Sequence, residues 1–577
     1  MKHLFLGNEA VARGLYEAGC RVASSYPGTP STEVTEYAAE YNEIFCEWAP
    51  NEKVAMEVAA GACIAGARSF CGMKHVGLNV AADPLFTVSY TGVNAGMVVV
   101  VADDPGMHSS QNEQDSRHYA RAAKVMMLEP ADSAECLAYT KAAFGLSERF
   151  DTPVIIRLST RIAHSRSLVE LAERVDAGLL PYEKNPGKYV MMPAMARGRH
   201  VVVEERLQKQ TAWCEDEAVK SGLNRIEWGS KKIGVITSGA CYQYAKEALG
   251  ENASYLKLGC VYPLPVDLIR RFAAECETVY VIEELDDFIE AHCKKIGVNV
   301  IGKETFTLLG EYSQAMIRKA VLGTEAEFLS TDLSIPARPP VLCPGCPHRG
   351  LFYALKKLKV FVSGDIGCYT LAAFKPLEMM DTCICMGAAV SALHGRNKAD
   401  ESNAKNSVAV IGDSTFMHSG VTGLIDIAYN RSDSVVVILD NSITGMTGHQ
   451  QNPTTGYTIK GDPTAAVSLE KLSEAVGINR VRVVDPNDLA ETERVIKEEL
   501  AADGPSVVIS RRPCALLKSV KRNPPLKSDP EKCRSCKMCM RIGCPAISMR
   551  DGKSAIDFTQ CVGCGVCKQM CKFGAIM

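Results

Sequence analysis

Hydrophobic and polar residues alternate between helical and strand-like spacing over the first third of the chain. Residues 7–18 have the spacing of an amphipathic helix that ends at Gly19. Short apolar runs predict strands at residues 22–25, 97–102 and 154–158. Polar loops follow the first two of these strands, at residues 26–33 and 103–111, and ligands of open α/β sheets bind at such strand ends. Residues 1–180 are therefore predicted to form one α/β domain.

Two further α/β segments follow, separated by stretches without a clear period. Residues 181–229 are rich in proline, lysine and glutamate and are interpreted as a linker. Residues 230–335 are predicted to form a smaller α/β unit, and the proline-rich stretch 336–340 marks its end. The segment 341–515 is predicted to be another α/β domain, with two apolar strands that each run into a polar loop.

The composition excludes some classes of protein and favours one cellular compartment. The 577 residues suffice for three or four domains, and 64 basic against 67 acidic residues give no basic excess for nucleic acid. No apolar run approaches the ~20 residues of a membrane helix, and Glu9 and Arg13 interrupt any signal peptide. The 24 cysteines without a secretion signal favour a reducing compartment. We therefore expect a cytoplasmic protein without nucleic-acid or membrane partners.

Two cysteine runs near the carboxyl terminus carry the strongest chemical signal. Their spacings, C-x2-C-x2-C-x4-C-P and C-x2-C-x2-C-x3-C, are typical of bacterial ferredoxins with two [4Fe–4S] clusters. In that arrangement the fourth cysteine of each run binds the other cluster. The pattern predicts one cluster on Cys533, Cys536, Cys539 and Cys571, and a second on Cys561, Cys564, Cys567 and Cys544.

Two departures and one alternative accompany this prediction. The first run has four residues before its last cysteine rather than three, and Lys572 rather than proline follows Cys571. A zinc ribbon also uses paired C-x2-C, but it seldom has three cysteines at this step. A ferredoxin-like domain at residues 528–577, which follows a charged linker at 518–530, is therefore preferred, and it implies one-electron transfer.

The loops after two neighbouring strands supply oxygen ligands. Apolar runs at 408–411 and 435–439 predict these strands; Asp413 follows the first and Asn441 the second. Mg²⁺ binds few carboxylates and completes its octahedron with phosphate and carbonyl oxygens. Asp413, Asn441 and the carbonyl of Ile443 are therefore predicted to hold a Mg²⁺–diphosphate. Gly-Asp alone is also an ordinary turn pair.

Together these motifs resemble the thiamine diphosphate-dependent 2-oxoacid:ferredoxin oxidoreductases. The resemblance rests on the cysteine runs, on Gly412-Asp413-Ser414 with Asn441, and on three segments: 444–450 (TGMTGHQ), 26–31 (YPGTPS) and 74–79 (KHVGLN). It spans nearly the whole chain and is greatest to the alpha subunits of the indolepyruvate branch. Ser414 stands where many thiamine enzymes have glycine, which leaves the metal ligand in place. The implied thiamine diphosphate contacts are Gly412, Asp413, Ser414, Asn441, Thr444, Gly445, Met446 and Thr447.

The resemblance also implies a multidomain α/β fold. Expected are a pyrimidine-side thiamine-binding domain at 1–180, a transketolase C-terminal-like domain at 230–335, a diphosphate-side thiamine-binding domain at 341–515 and an α+β ferredoxin-like 2[4Fe–4S] domain at 528–577. The family's small gamma-type domain has no counterpart in this sequence. A separate beta subunit and a hetero-oligomer of alpha and beta subunits are therefore expected partners.

The implied reaction is oxidative decarboxylation of a 2-oxoacid, with coenzyme A taking the acyl group and ferredoxin the electrons. Aryl 2-oxoacids of the indolepyruvate or phenylpyruvate type are expected from the resemblance alone. Glu52 is predicted to be the catalytic carboxyl that acts on the aminopyrimidine ring; Glu57 is the alternative, and either could be a solvated helix residue. Candidates for holding the substrate carboxylate are Thr29, Lys74, His75 and Arg117.

A third [4Fe–4S] cluster is implied because four more cysteines match the proximal cluster site of relatives. These are Cys343, Cys346, Cys368 and Cys514. A redox or zinc pair at Cys343 and Cys346, or simply buried thiols, stays open. Three other functions also stay open: an oxidoreductase for another 2-oxoacid, a non-oxidative thiamine-dependent decarboxylase or carboligase with structural clusters, and an electron-transfer subunit with an inactive thiamine fold.

Overall fold

The computed structural model describes residues 2–328, 330–337 and 339–577. Met1, at the start of the first predicted domain, Leu329, in the predicted unit 230–335, and Arg338, in the predicted boundary 336–340, lie outside the described residues. The chain divides into two compact units, Met1–Asp332 and Leu333–Met577. Each is described by itself.

The first unit is built around a seven-stranded sheet. Its central strands are short apolar runs that are buried along their whole length, as expected of parallel strands covered on both faces. All neighbouring strands are parallel except Cys260–Tyr262 and Met126–Leu128, which pair antiparallel. In spatial order the strands are Cys260–Tyr262, Met126–Leu128, Val154–Ser159, Met97–Asp103, Ser69–Lys74, Val22–Ser25 and Phe45–Trp48.

Two smaller sheets complete the first unit. Lys2–Leu6 pairs antiparallel with Arg166–Glu170. The other sheet has four strands, in the spatial order Thr278–Ile282, Ile233–Thr237, Ser254–Lys257 and Arg225–Glu227. The helices of the unit are Gly7–Glu17, Thr32–Ala38, Glu52–Ile64, His75–Thr91, Arg117–Ala123, Ser133–Phe150, Thr160–His164, Pro186–Tyr189, Pro193–Glu215, Glu217–Lys220, Gly239–Leu249, Val266–Ala274, Phe288–Lys295 and Gln314–Leu322.

The interpretation of residues 181–229 as a linker with little regular structure is wrong. This stretch contains the 23-residue helix Pro193–Glu215, and Arg225–Glu227 is an edge strand of the four-stranded sheet. The buried face of the helix mixes apolar Val203, Trp213 and Cys214 with polar Arg206 and Gln210, so it shows no continuous apolar stripe. Arg206, for example, is buried and donates to the carbonyls of Asp151 and Ser89.

The predicted separation of residues 1–180 from 230–335 is incomplete in the structure. Cys260–Tyr262 follows the strand Ser254–Lys257 of the four-stranded sheet in the chain, but it pairs with Met126–Leu128 at the edge of the seven-stranded sheet. The two predicted domains thus share one sheet. The exact domain boundaries remain a prediction.

The second unit is organised by a six-stranded parallel sheet whose two faces are both covered. Alternate residues of Val435–Asp440 enter different cores: Val437 packs in one cluster, and Ile438 packs in the other. In spatial order the strands are Thr382–Cys383, Phe361–Gly364, Ser407–Gly412, Val435–Asp440, Ser506–Arg511 and Val481–Val484. The helices of this unit are His348–Leu358, Ala388–Ala399, Asp413–Thr415, Val421–Tyr429, Leu469–Ala475, Leu489–Ala501 and Val566–Gln569.

The carboxyl-terminal tail folds into a small α+β element. Ile547–Arg550 and Lys553–Ile556 form an antiparallel hairpin, and the short helix Val566–Gln569 lies within the second cysteine run. Backbone hydrogen bonds between Lys527 and Met577 hold the two ends of the tail together. Among the helices that the structure describes, none combines the length and the apolar character needed to cross a membrane.

Candidate cofactor and iron–sulfur sites

Asp413 lies where the fold predicts an anion–metal site, directly after the buried strand Ser407–Gly412. The side chain is buried, and its Oδ2 has no hydrogen-bond partner among the described residues. Burial and the neighbouring Asp440 raise the pKa of Asp413 to about 8, although the amides of Ser414, Ser442 and Ile443 act in the opposite direction. A buried carboxylate with a spare oxygen is costly unless a cation pairs with it. The residues present therefore fit a Mg²⁺ ion.

The second predicted ligand lies on the next strand in the sheet. Asn441 directly follows Val435–Asp440, which pairs in parallel with the strand that leads to Asp413. Its Oδ1 accepts from the amide of Ile443, at 3.3 Å, and its Nδ2 lies 3.5 Å from Nε2 of His348. Burial lowers the pKa of His348 to about 4, so this imidazole is neutral at pH 7. No motif marks His348 in the sequence, and only the fold places it beside Asn441.

The loop 444–450 closes over the same strand ends. Thr444 Oγ1 donates to Ser414 Oγ at 2.9 Å, and the backbone of Thr444 pairs with that of Gln450. Thr447 Oγ1 donates to Gln450 Oε1, and Met446 is half-exposed. Gly445 has no side chain, which lets a phosphate approach its backbone closely, and a Cβ placed there would lie 3.5 Å from the nearest atom, an ordinary van der Waals distance.

Four cysteines lie near one another beside this loop and are here named the proximal set: Cys343, Cys346, Cys368 and Cys514. The Cys514 amide donates to the carbonyl of Asn441, at 2.9 Å, and Cys514 Sγ lies 3.9 Å from Nε2 of His449. Cys368 Sγ is the nearest atom to a Cβ placed on Gly445. Burial raises the pKa of Cys368 to about 11, and the charges of Cys514 and Cys343 add to the rise. The predicted proximal cysteines are thus neighbours of one another and of the diphosphate loop.

A tyrosine that the sequence analysis overlooked ties this cysteine set to the metal loop. The hydroxyl of Tyr369, next to Cys368, accepts from the amide of Gly412 and donates to the carbonyl of Ile366. Its ring packs edge-on against His348, with ring centroids 5.8 Å apart. No motif distinguishes this residue from an ordinary core tyrosine.

The tail cysteines separate into the two predicted groups. The distal set, Cys533, Cys536, Cys539 and Cys571, lines one small cavity. The medial set is Cys544, Cys561, Cys564 and Cys567; burial raises the pKa of Cys567 to about 12, with contributions from the other three thiols and from Cys539. Cys539 and Cys567 share one hydrophobic cluster, so the two sets adjoin. Thiols with raised pKa values become thiolates on binding a metal, and four convergent sulfurs fit an iron–sulfur cluster.

In the first unit, Glu52 is the first residue of the helix Glu52–Ile64. The helix is capped by Asn51, whose side chain accepts from the amide of Val54. The Glu52 carboxyl is buried against Gly77, where an added Cβ would lie 2.5 Å from Oε1. Glu57 is partly exposed and pairs with Lys53 instead. This arrangement favours Glu52 over Glu57 as the buried carboxyl.

Three substrate candidates converge on one loop at the carboxyl ends of the parallel strands. Lys74 donates to the carbonyl of Ser109, at 2.9 Å, and Ser109 Oγ donates to the carbonyl of Thr29. His75 Nε2 lies 3.1 Å from the carbonyl of Asn112. Burial lowers the pKa of Lys74 to about 8, opposed by Asp104 and Glu52. Thr29, Lys74 and His75 are thus brought together.

The prediction that Arg117 holds the substrate is wrong. Its side chain is fully buried in an ion-pair network with Asp115 and Glu283, and it also donates to the carbonyls of Glu284 and Asp286. The surrounding carboxylates hold the pKa of Arg117 well above its ordinary value. Arg117 therefore fastens the loop 284–286 to the start of the helix Arg117–Ala123.

Comparison with known proteins defines the class. Family models match residues 13–233 ("Pyruvate flavodoxin/ferredoxin oxidoreductase, thiamine diP-bdg"), residues 365–510 ("Thiamine pyrophosphate enzyme, C-terminal TPP binding domain") and residues 555–577 ("4Fe-4S binding domain"). The fold and the site thus define a thiamine diphosphate-dependent oxidoreductase of the 2-oxoacid type with an iron–sulfur domain.

Full-length relatives narrow this class to one family. The chain is 41% identical to the indolepyruvate oxidoreductase subunit IorA of Archaeoglobus fulgidus, over 100% of this chain and 97% of the relative. It is 40% identical to the IorA subunit of Pyrococcus horikoshii, over 100% of this chain and 96% of the relative. The chain belongs to the family of indolepyruvate oxidoreductase subunit IorA. The resemblance inferred from the motifs and the predicted fold class are confirmed.

Proposed function

We propose that this chain catalyses the oxidative decarboxylation of aryl 2-oxoacids to acyl-coenzyme A and passes the electrons to ferredoxin. The observation that carries the proposal is the 2.9 Å hydrogen bond from the Cys514 amide to the Asn441 carbonyl, which joins a cluster ligand to a ligand of the cofactor's metal. A decarboxylase with merely structural clusters would not require this proximity. The full-length similarity to indolepyruvate oxidoreductase subunits supports the substrate class.

When bound, thiamine diphosphate would supply an electron sink for the decarboxylation, and [4Fe–4S] clusters would supply one-electron carriers. The chain's own residues have separate tasks. Asp413, Asn441 and the Ile443 carbonyl would hold Mg²⁺, and the backbone at Gly445 would contact the diphosphate. Glu52 would share a proton with the aminopyrimidine ring, because a buried carboxyl is suited to general acid–base work. Lys74 pairs with the substrate carboxylate.

Contacts within the second unit give the succession of the cysteine sets, starting from the diphosphate loop. Gly445 of the diphosphate loop adjoins Cys368 of the proximal set. Gly345, in the proximal loop, packs on Val562, which follows Cys561 of the medial set. Cys567 of the medial set packs with Cys539 of the distal set. Cys536, in the distal set, is exposed. We therefore assign three clusters, with electrons leaving at the distal set. The family model covers only part of the tail, so twelve irons per chain is the quantity to measure.

The test is an anaerobic assay of the chain purified together with its partner subunit, which the subunit name of its relatives implies. Viologen reduction is compared across pyruvate, 2-oxoglutarate, branched-chain and aryl 2-oxoacids, with and without coenzyme A. The proposal expects the highest kcat/KM for aryl substrates and a requirement for coenzyme A. Aldehyde formation without viologen reduction would favour the non-oxidative decarboxylase.

The lowered pKa of Lys74 predicts a pH dependence of substrate binding. The ammonium is present below a pH of about 8 and is lost above it, so KM for the 2-oxoacid rises about tenfold per pH unit beyond that point. Lys74→Arg keeps its charge throughout this range and should flatten the rise. Steady-state KM profiles of the two proteins check this, and identical profiles would remove Lys74 from the substrate site.

The distal set predicts where an acidic acceptor protein docks. Arg534, Lys537 and Phe573 line the same cavity as the distal thiols, and Lys572 is exposed beside Cys571. Residues 528–577 carry 8 basic and 4 acidic residues, a net +4 in a chain whose overall charge is −3. Such a surface raises the association rate of an anionic partner.

Reversing two of these charges should slow reduction of ferredoxin at least about tenfold at low salt. In the variant Arg534→Glu/Lys537→Glu, kcat/KM for ferredoxin falls and its salt dependence flattens, whereas viologen reduction is unchanged. The matched control is Lys471→Glu/Lys497→Glu, which makes the same charge change on exposed helices elsewhere in the unit. Equal losses in both double variants would contradict docking at the distal set.

A further inference from the structure

Arg349 is a buried cation that the reaction as described does not use. It lies in the first turn of the helix His348–Leu358 and is 4% exposed. Among the residues that the structure describes, its guanidinium contacts no carboxylate. All of its hydrogen bonds go to backbone carbonyls. A buried charge without a counter-ion destabilises the fold, so its retention points to an anion that it serves.

The carbonyls that Arg349 contacts belong to the loops of two different cysteine sets. Its Nε donates to the carbonyl of Cys343 at 3.3 Å, and its Nη2 donates to the carbonyl of Leu342, in the proximal loop. Its Nη1 donates to the carbonyls of Ile542, at 3.1 Å, and Gly543, at 2.5 Å, directly before Cys544 of the medial set. The guanidinium thus bridges the two loops.

The contact with Arg349 explains the irregular spacing of the first cysteine run. That run has four residues rather than three before Cys544, and the last of them is Gly543. Gly543 has a φ of 67°, a left-handed conformation in which a Cβ would clash with Pro376 at 2.7 Å. In this conformation the Gly543 carbonyl accepts from Arg349. The longer spacing therefore coincides with the contact to the buried cation.

The ionisable groups that act on the Arg349 guanidinium are cysteine thiols. Burial lowers its pKa, and the charges that oppose this effect come from Cys544, Cys346, Cys343 and Cys564, two from each set. A cluster held by four thiolates carries a net negative charge that grows by one on reduction. A neighbouring cation therefore favours the reduced form and raises the reduction potential.

We propose that Arg349 is a positioning residue of the electron relay, whose buried charge raises the reduction potentials of the clusters at both the proximal and the medial sets. This inference rests on the proposed function, since it requires clusters at both sets. Arg349 makes and breaks no bond and keeps its proton. With clusters bound, one electron would move from the reduced proximal cluster to the oxidised medial cluster, and the fixed charge of Arg349 would compensate the added electron at either set.

The experiment is a redox titration followed by electron paramagnetic resonance, on the anaerobically purified full-length chain. In Arg349→Met, the ratio of reduced to oxidised cluster at both sets at a fixed ambient potential is expected to fall about tenfold, which corresponds to about 59 mV for a one-electron couple. Arg349→Lys retains the charge and should shift both potentials by less than half as much. The matched control is Arg541→Met, an exposed arginine in the same cysteine run, which should leave both potentials unchanged because solvent screens it.

The outcomes separate the inference from the function on which it rests. Twelve irons per chain in every protein, with both potentials unshifted in Arg349→Met, would overturn the role of Arg349 alone. Eight irons in the unaltered chain would instead remove the proximal cluster and part of the proposed function. If Arg349→Met loses iron, retention of iron in Arg349→Lys supports compensation by charge, and loss in both variants reduces Arg349 to a hydrogen-bonding role and contradicts the proposal.

Discussion

Glu52→Gln should reduce kcat for the 2-oxoacid by about 10²- to 10⁴-fold, the contribution of a positioned general acid–base group. Glutamine preserves the size of the side chain that packs on Gly77 but can no longer exchange a proton with the aminopyrimidine ring. Thiamine diphosphate content should stay near that of the unaltered enzyme. The measurement is steady-state viologen reduction, together with extraction and quantification of the bound cofactor.

The matched control for Glu52 lies on the same helix. Glu57→Gln makes the same chemical change at a partly exposed position paired with Lys53, and it should retain nearly full activity because exposed pairs contribute little. Similar losses in both variants would indicate a general effect on the helix Glu52–Ile64. A normal kcat in Glu52→Gln would remove this carboxyl from the catalytic role.

Asp413→Asn should weaken Mg²⁺-dependent binding of thiamine diphosphate by more than about 100-fold. Even residues that only orient a metal ligand are worth about 10- to 100-fold, and Asp413 supplies the one anionic ligand of the predicted set. The cofactor-free chain should not lose thermal stability, because the variant removes a buried carboxyl whose Oδ2 is unpartnered among the described residues. Isothermal titration of the apoprotein and its melting curve measure both effects.

The control for Asp413 is Asp462→Asn, at an exposed loop position in the same unit, which should bind the cofactor normally. Unchanged affinity in Asp413→Asn would place the metal elsewhere. It would also favour an electron-transfer subunit with an inactive thiamine fold.

The elements that sequence reasoning located share one property: they are continuous apolar runs buried on both faces. Val435–Asp440 is buried throughout, and such a run predicts a parallel strand without any knowledge of its neighbours. Ser69–Lys74 escaped notice because Gly72 and Lys74 interrupt its apolar pattern, although tertiary packing buries all six residues. The helix Pro193–Glu215 was overlooked for a related reason, since the polar side chains of Arg206 and Gln210 interrupt its buried face.

Sequence reasoning about the candidate sites has the same limit, because it cannot show contacts between residues that are far apart in the chain. Cysteine spacing predicted the tail sets because the ligands of each set lie mostly within one short run. Arg117 was assigned to the substrate because a sequence cannot show that Glu283, 166 residues away, neutralises it. His348 and Tyr369 lie beside the metal loop only because helix and sheet pack there, and neither has a motif of its own.

The central claim is that electrons released from the 2-oxoacid at the thiamine site enter the cysteine-bound clusters. The most direct test is to mix the anaerobic holoenzyme with indolepyruvate and coenzyme A, freeze the sample within one turnover, and record its electron paramagnetic resonance spectrum. The account predicts a signal from reduced [4Fe–4S] clusters that requires both the 2-oxoacid and bound thiamine diphosphate. Consumption of the 2-oxoacid with no such signal would contradict it.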